Sequence, residues 1–262
     1  MTVKNLNPEV PLKIAWLTTG RGSGSYDALA HLIEEIEQGL PVQISVVFCN
    51  RTRGESVVTD RLLDLVQANE IPLETISSVQ FRRSSGGHRS VSGGPLPEWR
   101  QGFDKQVGDH LEEYDFSLAV LFGYMLIVTD SLFSRFPLLN DHPALPDGPT
   151  GTYQQVIAEL ILRNSKESGC MYHFVTEQVD RGPVATFCRF EIPADSSVPL
   201  PESPTREQIE AHPLYEQIRK LGLVRERVLL TETLRAFDSG QLSVNSVNAL
   251  DLTNEIDRLI SI

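Results

Sequence analysis

The chain has 262 residues, and 40% of them are hydrophobic, enough for a packed core and too many for global disorder. Its net charge of −12 excludes a generally basic surface for nucleic acid or anionic membranes, so an anionic ligand must meet a local cluster of Arg or Lys. No apolar run approaches the ~20 residues of a membrane-spanning helix, and residues 1–12 lack the apolar stretch of a signal peptide.

Such a length suits one large domain, or a domain with an appended lobe. Residues 1–12 read as an N-terminal tail. "KIAWLTTG" (13–20) is apolar, β-prone and ends in glycine. In 25–39, Leu29, Leu32, Ile33 and Ile36 recur at helical spacing opposite acidic residues. "VQISVVFCN" (42–50) predicts a second strand, 56–69 a second helix, and "LETISSV" (73–79) a weaker third strand. The segment 81–99 breaks this rhythm. It is rich in Gly and Ser and carries Arg82, Arg83 and Arg89, so it reads either as a solvated flexible loop or as a mobile basic flap for an anion.

Residues 98–113 predict a helix, and "SLAVLFGYMLIV" (117–128) predicts the most buried strand. Strands alternating with helices, the strands continuously apolar, mark a parallel sheet covered on both faces. The fold class expected is therefore α/β, Rossmann-like, with a mostly parallel central sheet. Further on, 169–177 and 184–192 predict two strands joined through the Gly182–Pro183 turn. The chain is then polar and Pro-rich up to 205. From there it is expected to be helical to the end, which makes 193–262 a helical extension packed on a core of 13–192. Cys49, Cys170 and Cys188 are an odd number without CxxC spacing, which points to neither a metal site nor a disulfide framework. They read as buried free thiols of a cytoplasmic protein.

Three constellations carry chemistry. The first is "TTGRGSGS" (18–25), where strand one meets helix one. Its glycines allow a tight turn whose N–H groups face an anion, or a tight turn with no ligand. In "LLNDHPALPDG" (138–148), Asn140 can donate to a developing oxyanion and His142 can shuttle a proton near neutral pH. Pro143 and Pro146 keep this corner out of a helix, and turn chemistry alone is the plainer reading. Asp180 in "EQVDRGP" can orient an imidazole, or simply shape its turn.

In order and spacing these segments resemble the glycinamide ribonucleotide formyltransferase family, across roughly residues 13–192. That family has an Asn-x-His-Pro loop and, downstream, a His-Phe-Val strand followed by Asp and then Gly-Pro. Here these are Asn140/His142/Pro143 and His173–Val175/Asp180/Gly182–Pro183. The resemblance implies transfer of a formyl group from 10-formyltetrahydrofolate, as co-substrate and without a metal, to a primary amine.

It assigns catalysis to Asn140, His142 and Asp180, with His173 in support. The turn Gly20, Arg21, Gly22, Ser23, Gly24 and Ser25 would take the ribonucleotide phosphate. The backbone of Phe122, Gly123, Tyr124, Met125 and Leu126 would line the pteridine pocket. Glu226, in "RERVLLTETLRAFDSGQL" (225–242), would contact the amine or ribose, and Arg100 an anionic ligand. The partners implied are small molecules, with neither nucleic acid nor membrane, and the chain would act as a monomer or homodimer. Departures include Arg21 for the family's asparagine, Leu126 for its arginine, and the inserted 81–99 segment. A different phosphorylated or nucleotide-linked amine is the alternative acceptor. Water in the amine's place would instead make the enzyme a formyltetrahydrofolate hydrolase.

Overall fold

The computed structural model describes residues 10–91, 94–193, 200–201 and 203–261; residues 1–9 of the expected tail and much of the Pro-rich stretch lie outside them. The chain runs β1 (Leu12–Thr18), α1 (Ser23–Glu37), β2 (Val42–Cys49), α2 (Val57–Ala68), β3 (Leu73–Thr75), α3 (Ser78–Ser84) and α4 (Trp99–Leu111). It continues with β4 (Leu118–Leu121), α5 (Asp130–Phe133), β5 (Leu138–His142), α6 (Tyr153–Leu162), β6 (Glu167–Phe174) and β7 (Val184–Glu191). Last come α7 (Arg206–Glu210), α8 (Pro213–Asp238), β8 (Leu250–Asp251) and α9 (Thr253–Ile260).

One eight-stranded sheet has the order β3-β2-β1-β4-β5-β6-β7-β8. Its pairings are parallel except β5–β6 and β6–β7, so among the described strands β6 alone runs against the rest. Alternation along β1 explains the layers. Ile14 and Trp16 pack with Leu29 and Leu32 of α1, Leu62 of α2 and Leu229 of α8. Ala15 and Leu17 face Phe103 and Val107 of α4. Each large apolar side chain buried this way stabilises the fold by roughly 1.5–3 kcal/mol. The three cysteines are buried and free. Burial pushes the Cys49 thiol up to about 11, so it stays protonated.

Three segments differ from the sequence reading. The strand expected over 117–128 stops at Leu121, because Gly123 takes a left-handed φ of +63° and turns the chain across the end of β1. There Phe122 N–H donates to Leu17 O (3.1 Å) and Thr19 N–H to Gly123 O (3.1 Å). The start of the 81–99 segment is helical, since Ser77 caps α3 by accepting from Gln80 N–H. Phe81 then packs on Trp99 and Phe103, and Trp99 Nε1 donates to His88 O (2.9 Å). The C-terminal part is not helical throughout: β8 joins the sheet beside β7, and α8 lies over β6 and α1.

The turn that returns β6 into β7 leaves no room for a side chain at Gly182. A Cβ there would stand 1.8 Å from Phe174 O, while Phe174 N–H donates to Pro183 O (2.8 Å). Gly182→Ala is expected to destabilise the fold by about 1–3 kcal/mol, the cost of overpacking. The check is urea unfolding, with a lower midpoint at unchanged slope; an unchanged midpoint would contradict the close approach.

Candidate active site

The strand order reverses at β1 and β4, where an open α/β sheet leaves a crevice at its carboxyl edge. A cavity of about 750 Å³ occupies that edge. Its walls are the glycine turn (Arg21, Gly22, Gly24, Ser25), the loop 121–128 after β4, and Asn140–Pro143 at the end of β5. Gly20 and Ser23 belong to the same turn without lining the cavity. Gly20, at φ +60°, makes the bend, and Thr59 Oγ1 donates to its carbonyl (3.1 Å). The N-cap of α1 is Gly22 and no side chain caps this end, so the helix presents its first N–H groups to the cavity side.

The segment expected as a loop is the last turn of a strand: Asn140, Asp141 and His142 pair with His173, Tyr172 and Met171 of β6. His173 Nδ1 donates to Phe174 O (3.1 Å), which leaves Nε2 as an acceptor for Asn140 Nδ2 at 3.2 Å. Burial pushes the His173 imidazole down, toward this neutral form. The Asn140 amide is thereby oriented, with no other hydrogen bond from its Nδ2 among the described residues. His142 is 2% exposed, and its Nε2 donates to Pro149 O (2.8 Å). Its Nδ1 faces Asp180 Oδ2 at 3.7 Å, an ion-pair distance rather than a direct hydrogen bond.

Asp180 comes from the β6–β7 connection in a left-handed backbone (φ +54°), a strained choice for a side chain of this size. Two bonds hold it there. Gly151 N–H donates to Asp180 Oδ2 (2.8 Å), and Arg181 Nη2 donates to Gly148 O (2.9 Å). Asp180 Oδ1 also lies 3.9 Å from His173 Nε2. The structure therefore brings Asn140, His142, His173 and Asp180 together on one wall.

On the other side of β5 lies a charged group of which the sequence reading named Glu226 and missed Arg219 and Asp141. Glu226 of α8 is buried, and its Oε1 is 3.3 Å from Arg219 Nη1, two helical turns earlier. The Arg219 guanidinium covers the Tyr153 ring at 4.0 Å. Asp141 faces the same group, and burial together with the Glu226 charge pushes its carboxyl well above the usual carboxylate range. Burial pushes Glu226 up too, against the opposing pull of Arg219. The i, i+7 spacing of Arg219 and Glu226 was the available signal, together with a carboxylate between Asn140 and His142 that strand alternation turns to the opposite face.

The 122–128 loop lines the cavity, with Met125 N–H donating to Thr19 Oγ1 (2.8 Å) and Phe122 stacked on Trp16. Arg100 corrects the sequence reading, because it does not reach the cavity. It is 1% exposed, paired with Asp104 Oδ1 (3.1 Å) and donating from Nη2 to Ile127 O (2.8 Å). Asp104 Oδ2 accepts from Thr129 N–H (2.6 Å), so the ion pair grips the far end of the loop from behind. Position decides this: the first turn of α4 faces inward, and Trp99 and Phe103 flank the guanidinium. Leu126, where the resemblance expects arginine, packs in the apolar layer with α4.

A comparison with known families matches residues 12–209 to the formyl transferase family, and the chain belongs to that family. It is 29% identical to the phosphoribosylglycinamide formyltransferase of Haemophilus influenzae over 75% of this chain and 81% of that one. The enzyme of that name from Saccharomyces cerevisiae is 29% identical over 72% and 85%. A formyltetrahydrofolate deformylase of Escherichia coli strain CFT073 is 27% identical over 70% of this chain, which spans 55% of that protein. Among solved structures, the phosphoribosylglycinamide formyltransferase of Coxiella burnetii shares the fold, with TM-score 0.65 at 23% identity over 90% and 92% of the two chains.

Arg100→Leu would leave Asp104 buried without its counter-ion and is expected to destabilise the protein by about 3–5 kcal/mol. Adding Asp104→Asn should recover part of this loss in urea unfolding, because the stranded charge is gone. Unaltered stability together with weaker binding of an anionic ligand would instead return Arg100 to a ligand-contacting role.

Proposed function

We propose that this chain transfers the formyl group of 10-formyltetrahydrofolate to the primary amine of glycinamide ribonucleotide, a step of purine biosynthesis. The observation that carries this reading is the convergence of Asn140, His142 and Asp180 on one wall of the cavity. Their spacing in sequence gives no such proximity by itself. The reduced folate supplies the formyl group, activated as an amide of a weakly basic nitrogen.

Asn140, oriented by His173, donates its second amide N–H to the formyl oxygen as negative charge develops there, the role of an oxyanion hole. His142 acts through Nδ1, since Nε2 is engaged by Pro149, and holds or delivers the proton that the departing folate nitrogen takes up. Asp180 Oδ2, 3.7 Å from His142 Nδ1, fixes its surroundings. The proton lost by the attacking amine balances the one gained by the folate.

Ligand placement follows from the walls. The uncapped start of α1, with Arg21, Gly22, Ser23, Gly24 and Ser25, offers N–H groups and a cation to the phosphate, and Glu226 faces the ribose end. The backbone of Phe122, Gly123, Tyr124, Met125 and Leu126 offers hydrogen bonds to the pteridine edge. Exposed Met125, Ile127 and Val179 add an apolar rim that suits the aryl part of a folate. No helix among the described residues is long and apolar enough to cross a membrane, which suits work on small molecules in the cytoplasm.

The test is a panel of primary amines incubated with 10-formyltetrahydrofolate, following release of the free folate. Release that requires glycinamide ribonucleotide is expected. Equal release without any amine would make the enzyme a hydrolase, and release with only another phosphorylated amine would reassign the acceptor.

A further inference from the structure

The proton-transfer chemistry has no use for Asp141. Alternation along β5 turns it away from Asn140 and His142, toward the side of the sheet covered by α1 and α8. Asp141 is among the residues lining the cavity, yet its Oδ1 is shielded from solvent and has no hydrogen-bond partner among the described residues. The neighbouring Tyr172 hydroxyl donates its one hydrogen to Glu226 O (3.0 Å). Arg219 is already drawn to Glu226. Two carboxyl groups thus feel the charge of one arginine, which is paired with Glu226 alone, and all three residues line the cavity.

Nothing in the fold calls for this arrangement. The neighbours of Asp141 include Leu139, Tyr172 and Cys188, all members of the apolar core, and a leucine would pack there without desolvating a charge. A buried polar group left short of partners is costly, and where it opens into a cavity a ligand can complete it. The same cavity end holds the glycine turn, because a Cβ built on Gly24 would meet Arg219 Nη2 at 3.6 Å. Asp141, Glu226 and Arg219 therefore sit beside the turn read above as the phosphate site.

Which acceptor group would satisfy two carboxyls is settled by chemistry. The attacking amine must shed its proton, and a carboxyl pair would hold it as an unreactive ammonium. A sugar hydroxyl raises no such conflict. It donates to a carboxylate and accepts from a protonated carboxyl, so it fits Asp141 in either form. We propose that Asp141 is a specificity residue that, with Glu226, hydrogen-bonds a hydroxyl of the acceptor's sugar and makes the enzyme select hydroxylated acceptors. This rests on the formyl-transfer reading and extends it to a residue outside the catalytic wall.

The experiment compares the parent chain with Asp141→Leu and Asp141→Asn, using glycinamide ribonucleotide and its 2′-deoxy and 3′-deoxy analogues as acceptors, with thermal unfolding of each protein alone. Asp141→Leu is expected to raise KM for glycinamide ribonucleotide by about tenfold or more, with KM for the folate within about twofold. The parent chain should discriminate against at least one deoxy analogue by a similar factor, and Asp141→Leu should not. Neither variant should unfold at a lower temperature than the parent, since each removes a poorly satisfied buried carboxyl. An acceptor KM indifferent to Asp141 would overturn the inference. So would a fall in unfolding temperature with both KM values rising together, the mark of a structural role. Failure of the parent chain to formylate any amine would overturn the functional reading as well, and so is distinguishable from an active parent that ignores Asp141.

Discussion

Where β6 runs back along β5, Asn140 lies opposite His173 and His142 opposite Met171, and a slip of one residue would turn every side chain of the strand to the other face. That antiparallel register separates the site into two walls. Asn140 and His142 face the Asp180 turn, while Asp141 faces Glu226 and Arg219. The parallel pairing of β5 with β4 then sets both walls beside the loop 122–128, at the point where the strand order reverses. Three consecutive residues thereby serve two different ends of one cavity.

Several costs accepted by the fold are concentrated around this register. Asp180 keeps a left-handed backbone, held by Gly151 and by the tie from Arg181 to Gly148. The buried Arg100–Asp104 pair holds Ile127 and Thr129 in place, although a buried pair adds little net stability compared with an apolar substitute. His173 is held neutral and spans Asn140 and the backbone of β6. In each case polar groups fix the position of other groups that face the cavity, so the donors are oriented before a ligand arrives.

Much of this was legible in the residues. Continuously apolar strand segments and period-3.6 helices in 13–69 marked the alternating elements, and the resemblance named Asn140, His142 and Asp180 as one catalytic group. What remained hidden has physical causes. Apolar residues 122–128 look like strand but leave the sheet, because one glycine at positive φ outweighs β propensity. Arg100 carries a charge that implies solvent or ligand, while its burial depends on a partner, Asp104, one helical turn away and on the loop behind it. The charges of Arg219 and Asp141 belong to separate elements, and only the packing of α8 over β6 shows that they meet.

The central claim is that His142 and Asp180 act as one unit across the gap between β5 and the β6–β7 turn. A double-mutant cycle on kcat for formyl transfer tests it most directly, with His142→Ala, Asp180→Asn and the pair, each first checked for an unchanged unfolding midpoint. Each single substitution is predicted to lower kcat by about 10²-fold or more, with little change in KM for either ligand. The double variant is predicted to be scarcely worse than His142→Ala alone. Losses that multiply would contradict the claim and leave Asp180 as a residue that only shapes its turn.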